Sequence, residues 1–77
     1  MKIIDIRDNS LFNKYHLPEA INISFYNLLS NPDNYLNKQD NYLIVCEYGI
    51  KSKKTSEILN NMGYHTSSMD GGMCKIV

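Results

Sequence analysis

The residue best placed to do chemistry is Cys46, in the run Leu43-Ile44-Val45-Cys46-Glu47-Tyr48-Gly49-Ile50-Lys51-Ser52. An apolar stretch ends at this cysteine, and a helical pattern starts a few residues later. In open α/β sheets, ligands bind at the carboxyl ends of strands, beside helix N-termini. Unpaired backbone N–H groups there cradle anions, and the helix dipole favours negative charge. A cysteine so placed acts as a nucleophile through its thiolate form. Gly49 gives the loop backbone the freedom to curl its amides inward. Lys51, Lys53 and Lys54 fall in the first helical turn, where the macrodipole opposes cations. A local rule broken beside a well-placed cysteine points to function. The competing reading makes Cys46 a small buried apolar residue that merely ends a strand.

Other groups read as structural. Asp5 and Arg7 flank Ile6 and suit an ion pair or a strand-end network better than catalysis. His16 reads as a hydrogen-bond partner in a turn, and His65 as an exposed residue on an edge strand. Two isolated histidines and two distant cysteines do not make zinc-ligand spacing, so neither a metal nor a cofactor is expected. Cys74 could resolve an adduct on Cys46 as a disulfide, which depends on a separation the sequence does not give. The six tyrosines lack regular spacing and read as half-buried packing residues.

The elements that must position Cys46 follow from pattern. Lys2-Ile3-Ile4-Asp5-Ile6 predicts a buried strand. Asp8-Asn9-Ser10 offers cap chemistry for a helical turn over residues 11–15, which Pro18 stops by restricting Leu17. Ile21-Asn22-Ile23 predicts a very short strand, and Ser24 a cap for a turn over residues 25–29. Asn31-Pro32 opens a short helix reaching Leu36. Tyr42-Leu43-Ile44-Val45 has the nearly continuous apolar character of a central parallel strand. A helix from about Lys51 to Met62 follows, with Thr55, Ile58, Leu59 and Met62 as its buried stripe and Gly63 at a left-handed C′ position. Tyr64 to Met69 predicts a weaker, polar strand, and Asp70-Gly71-Gly72 a turn. The alternation predicts a single α/β domain over residues 1–77, a small parallel sheet flanked by helices.

Composition bounds the function. The chain has 77 residues, with eight Lys plus Arg balancing eight Asp plus Glu, which argues against a general nucleic-acid binder. Hydrophobic residues are 43% and charged ones 21%, a globular balance. No apolar run spans a bilayer, and the N-terminus lacks a signal-peptide core. Two cysteines are too few for a stapled secreted scaffold, so a cytoplasmic, thiol-reduced setting is expected. One Ala, no Trp and ten Asn make a thin core for a chain this short. A homodimer would be one remedy if a sheet edge or core face lay open.

The chain also resembles the single-domain rhodanese-like family from Ile3 to Met73. Asp5-Ile6-Arg7 is similar to the family's acid-hydrophobic-Arg triplet ending a core strand. Phe12 and His16-Leu17-Pro18-Glu19-Ala20-Ile21-Asn22-Ile23 resemble its Phe followed by His-hydrophobic-Pro-Gly-Ala-hydrophobic-Asn. The Cys46 loop resembles its Cys-x-x-Gly-x-Arg-Ser, and Leu59, Gly63-Tyr64 and Asp70-Gly71-Gly72-Met73 resemble its later helix, turn and double glycine. The resemblance implies a rhodanese fold and a sulfurtransferase. Cys46 would take sulfur from a small donor such as thiosulfate as a persulfide and pass it to cyanide, a thiol or a protein acceptor. The loop amides from Glu47 to Lys51 would surround the sulfur, with Glu47, Tyr48, Gly49, Ile50, Lys51 and Ser52 forming the substrate site.

Departures from the family pattern bear on activity. Lys51 stands where many relatives carry Arg, losing a two-bond fork for an oxyanion. Glu47 sets a negative charge beside the nucleophile, opposing an anionic donor. Glu19 replaces the Gly of the proline turn. Against the family pattern, the usual strand and helix before Lys2 are expected to be missing and the last helix after Gly72 missing or curtailed. The alternative is therefore a rhodanese-like binding or regulatory module with little turnover. Arsenate-reductase or phosphatase chemistry needs Cys-x5-Arg, and Ser52 occupies that Arg position. A Cys-x-x-Cys redox site fails because Gly49 replaces the second cysteine.

Overall fold

The computed structural model describes residues 1–76. Four parallel strands form one sheet: β1 (Lys2–Asp5), β2 (Ile21–Asn22), β3 (Asn41–Val45) and β4 (His65–Ser68), in the order β2-β1-β3-β4. The connections are α1 (Asn9–Lys14) from β1 to β2, α2 (Phe25–Ser30) with a 3-10 turn at Pro32–Asn34 from β2 to β3, and α3 (Ile50–Asn61) from β3 to β4. A second 3-10 turn, Met73–Lys75, follows β4. β1 leads outward to β2 and β3 leads outward to β4. The strand order therefore reverses between β1 and β3, and a crevice opens at their carboxyl ends. Arg7 and Cys46 lie just beyond those two ends.

Period-two alternation assigns the sheet faces. Ile4, Ile6, Tyr42, Ile44 and Cys46 pack with Ile23, Leu28, Leu36, Leu59 and Tyr64 into one core, on the face that α2 and α3 cover. Asp5 and Val45, paired across β1 and β3, are fully buried on the opposite face. The polar β4 belongs to the sheet because hydroxyls tie it to α3. Ser52 Oγ meets Ser68 Oγ and Ser56 Oγ meets Thr66 Oγ1, each at 2.7 Å.

Those hydroxyl pairs correct half of the stripe expected on α3. Its buried face is Ser52, Thr55, Ser56 and Leu59, whereas Ile58 and Met62 are 38% and 45% exposed. Small hydroxyl side chains let the helix sit close to β4 while satisfying each other, so Thr55 and Leu59 are buried as the periodicity predicts, while Ser52 and Ser56 take the places expected of Ile58 and Met62. The expected helix from Asn31 to Leu36 is only the 3-10 turn, and the Asn31 side chain caps nothing. Asp8 is likewise an N-cap residue without a side-chain bond, whereas Ser24 does accept from the Asn27 amide. The tyrosines divide: Tyr42 and Tyr64 are core residues, and Tyr26 and Tyr48 stand in solvent.

The turn before β2 carries strain. The Ala20 amide donates to the Leu17 carbonyl at 3.0 Å, with Pro18 and Glu19 between them and Glu19 at φ 69°. That is the third position of a type II turn, which favours Gly. A left-handed residue with a side chain costs about 1–2 kcal/mol, partly offset because Gly loses more freedom on folding. Glu19→Gly is therefore expected to stabilise the fold by about 0.5–1 kcal/mol, read as a higher urea midpoint. A lower midpoint would mean that the Glu19 side chain itself supports the turn.

Candidate active site

Cys46 follows β3 directly and is 5% exposed. Its Sγ accepts hydrogen bonds from the amides of Gly49 and Ser52, both at 3.2 Å. Gly49 makes this geometry by taking φ 86° at the N-cap of α3, a left-handed conformation that turns the loop into the helix. Ser52 is the third residue of the helix, so its amide has no carbonyl partner within the helix and is free for the sulfur. Of the amides expected around the sulfur, that of Gly49 bonds Sγ, and the Ser52 amide, one residue beyond the expected range, joins it. The Ser52 hydroxyl points away, to Ser68.

The loop is held from behind. The Cys46 and Glu47 carbonyls accept from the Met73 and Cys74 amides at 2.8 and 2.9 Å. The Gly71-Gly72 backbone therefore lies against residues 47–49. A Cβ on Gly72 would fall on the Glu47 carbonyl and within 2.6 Å of the Gly49 nitrogen, at a φ of 73°. Both cysteines are free thiols, and the exposed Cys74 Sγ is engaged separately by the Gly71 carbonyl at 3.2 Å.

Arg7, from the neighbouring strand end, is the most constrained charge. Its Nε and Nη2 donate to the two carboxylate oxygens of Asp5 at 3.0 and 2.9 Å, and Nη2 also reaches the Tyr15 carbonyl at 2.6 Å. The Asp5 hydrogen bonds hold the Arg7 pKa above its ordinary value, against the opposing effect of burial. Arg7 is thus cationic at any pH the fold survives. Its side chain is 5% exposed and that of Asp5 fully buried, so removing either partner alone strands a buried charge at a cost of about 3–5 kcal/mol. The Asn22 amide donates to the Asp5 and Arg7 carbonyls at 2.9 and 3.0 Å and fixes the strand end. His16 contributes to the same corner through Nδ1, 2.7 Å from the Phe12 carbonyl, with its ring stacked on Phe12. His65 is exposed.

A cavity of about 490 Å³ opens in front of Cys46, between the ends of β1 and β3. Glu47, Tyr48, Ile50 and Lys51, four of the residues assigned to the substrate site, line it, with Tyr48 and Ile50 largely in solvent at its rim. Ile6, Arg7, Asp8, Leu11, Phe25 and Lys54 complete it. Phe25 carried no sequence signal, because only tertiary packing brings α2 to the loop. Lys51 Nζ stands 5.0 Å from the Phe25 ring centroid, a cation–π contact across the cavity wall. Glu47 turns toward Arg7, with Oε1 3.4 Å from Nη1, so its charge is partly neutralised rather than left facing the sulfur. Among the described residues no three His, Cys, Asp or Glu side chains gather to hold a metal ion, and no helix is long and apolar enough to cross a membrane.

A family model for the rhodanese-like domain matches residues 1–77. The chain belongs to the rhodanese-like family. It is 32% identical over 76 residues to the thiosulfate sulfurtransferase GlpE of Shewanella oneidensis, covering 94% of this chain and 71% of that protein. A crystal structure from Staphylococcus saprophyticus superimposes with a TM-score of 0.90 at 26% identity, over 99% of this chain and 75% of that one. An E. coli structure described as a rhodanese with anions gives 0.81 at 29% identity, over 99% and 91%. The rhodanese-like fold and a sulfurtransferase-type role follow from this kinship.

The close approach of Gly72 to the loop generates a prediction. Gly72→Ala is expected to cost about 2–3 kcal/mol in urea unfolding, from overpacking plus the left-handed backbone. Iodoacetamide is expected to alkylate Cys46 faster in this variant, because the cradle loosens. Unchanged stability together with an unchanged alkylation rate would contradict the close approach of residues 72 and 47–49.

Proposed function

We propose that this rhodanese-like protein moves a sulfane sulfur from thiosulfate, or another small persulfide donor, to a thiophilic acceptor through a persulfide on Cys46. The observation that carries this reading is a buried sulfur held by two backbone N–H groups at the floor of a cavity with cations on its walls. Cys46 thiolate attacks the outer sulfur of thiosulfate. The donor's S–S bond breaks, and sulfite leaves with the electron pair. A cyanide ion or an acceptor thiolate then attacks the outer sulfur of the persulfide, and the Cys46 thiolate departs with the electrons of the second S–S bond. Negative charge resides on the Cys46 sulfur before and after the cycle, and the Gly49 and Ser52 amides are preorganised to hold it.

Lys51 is assigned to attracting and orienting the donor anion, since it lines the cavity and the Phe25 ring holds its ammonium in place. Being a single point charge, it gives less directional binding than a guanidinium fork. The second reading, a binding module with little turnover, is favoured by the Glu47 carboxylate in the cavity wall. The two readings separate on Cys46.

Thiocyanate formation from thiosulfate and cyanide tests them. Wild type is expected to turn over, and Cys46→Ser to lose turnover entirely. Lys51→Ala is expected to raise the thiosulfate KM by about fivefold with a smaller change in kcat, the loss of one partly exposed charge contact. A folded, reduced wild type without turnover, or a Cys46→Ser variant that keeps it, would refute the assignment.

A further inference from the structure

We propose that Arg7 carries a second anion-binding position in the Cys46 cavity, and that the Glu47 carboxylate covers it until a donor anion takes its place. The inference rests on the proposed reading of the cavity as a donor site, and assigns a specificity role to two residues that this reading leaves aside.

The bonds of the guanidinium are unequal. Nε and Nη2 are committed to Asp5 and the Tyr15 carbonyl at 2.6–3.1 Å, inside the fold. Nη1 has a single protein partner, Glu47 Oε1, at 3.4 Å, the longest contact Arg7 makes. The Glu47 side chain is 35% exposed, so its carboxylate can move into solvent with little loss. Arg7 cannot follow, because Asp5 holds its fork in place through two parallel bonds. Both residues line the same cavity as Cys46. Withdrawal of Glu47 thus leaves a fixed, buried cation with an unused N–H directed at that cavity.

A donor with a tetrahedral anionic head, such as the sulfonate end of thiosulfate, matches this cation and a terminal N–H bond. Its outer sulfur would face Cys46 while its oxygens meet Arg7 on one wall and Lys51 on the other. Donors without an anionic head gain nothing from displacing Glu47. The pair therefore acts as a selector for anionic donors, with Glu47 setting how tightly they bind. No covalent step and no proton transfer is involved.

The test needs no turnover, so it separates this inference from the proposed function. Inorganic sulfate is titrated against the rate at which neutral iodoacetamide alkylates Cys46. Glu47→Gln is expected to lower the half-protecting sulfate concentration by about fivefold, the gain from one uncovered charged donor. Asp8→Asn removes a negative charge from the same cavity wall without uncovering Arg7, and is expected to change it less than about twofold. Equal shifts in both variants would reduce the effect to general charge and overturn the inference. So would wild-type protection in Glu47→Gln, or no protection by sulfate in either protein. Sulfate protection without thiocyanate formation would leave Arg7 as an anion site and remove the sulfurtransferase reading instead.

Discussion

The carbonyls of Cys46 and Glu47 point backward into the amides of Met73 and Cys74, and this frees the loop's remaining amides to face the sulfur. Backbone packed on backbone at such range leaves no room for side chains. Gly49 and Gly72 both take positive φ, and a Cβ on Gly49 would meet the Gly71 nitrogen at 2.9 Å. Once this contact forms, the loop has little freedom. Gly49 bends over Sγ, α3 starts at Ile50, and the free amide of Ser52 completes the cradle.

The second fixed point is the Asp5–Arg7 pair at the adjacent strand end. Burying two charges costs several kcal/mol per ion before their attraction and hydrogen bonds offset it. Here every committed nitrogen has a partner, and Asn22 ties down the carbonyls on either side. The pair gives the crevice one rigid wall, and the cradle gives it a floor. The reversal of strand order between β1 and β3 places the two beside each other although they are some forty residues apart in sequence.

Residues with local grammar were legible in the sequence. The apolar run before Cys46, Gly63 after α3 and Ser24 before α2 each act through neighbours a few positions away, and Gly63 does take φ 100°. The position of Cys46 at a strand end beside a helix start was equally readable. What escaped depends on partners distant in the chain. Ser52 and Ser56 look like surface residues until Ser68 and Thr66 satisfy them, so hydrophobicity alone chose Ile58 and Met62. Glu47 looked hostile to an anion because nothing in its neighbourhood revealed Arg7. Phe25 and Leu11 reach the cavity only through the packing of α1 and α2. The number of amides on the sulfur depended on one φ angle at Gly49.

The central claim is that the Gly49 and Ser52 amides hold the negative charge of the Cys46 thiolate, a charge that passes to the outer sulfur when a persulfide forms. Proton–nitrogen correlation spectra of the reduced protein, recorded before and after one equivalent of thiosulfate, test it most directly. The account predicts that the Gly49 and Ser52 amide resonances shift most, together and in proportion to a mass adduct of one sulfur atom on Cys46. Shifts spread over the chain without these two, or an adduct carried by Cys74, would contradict it.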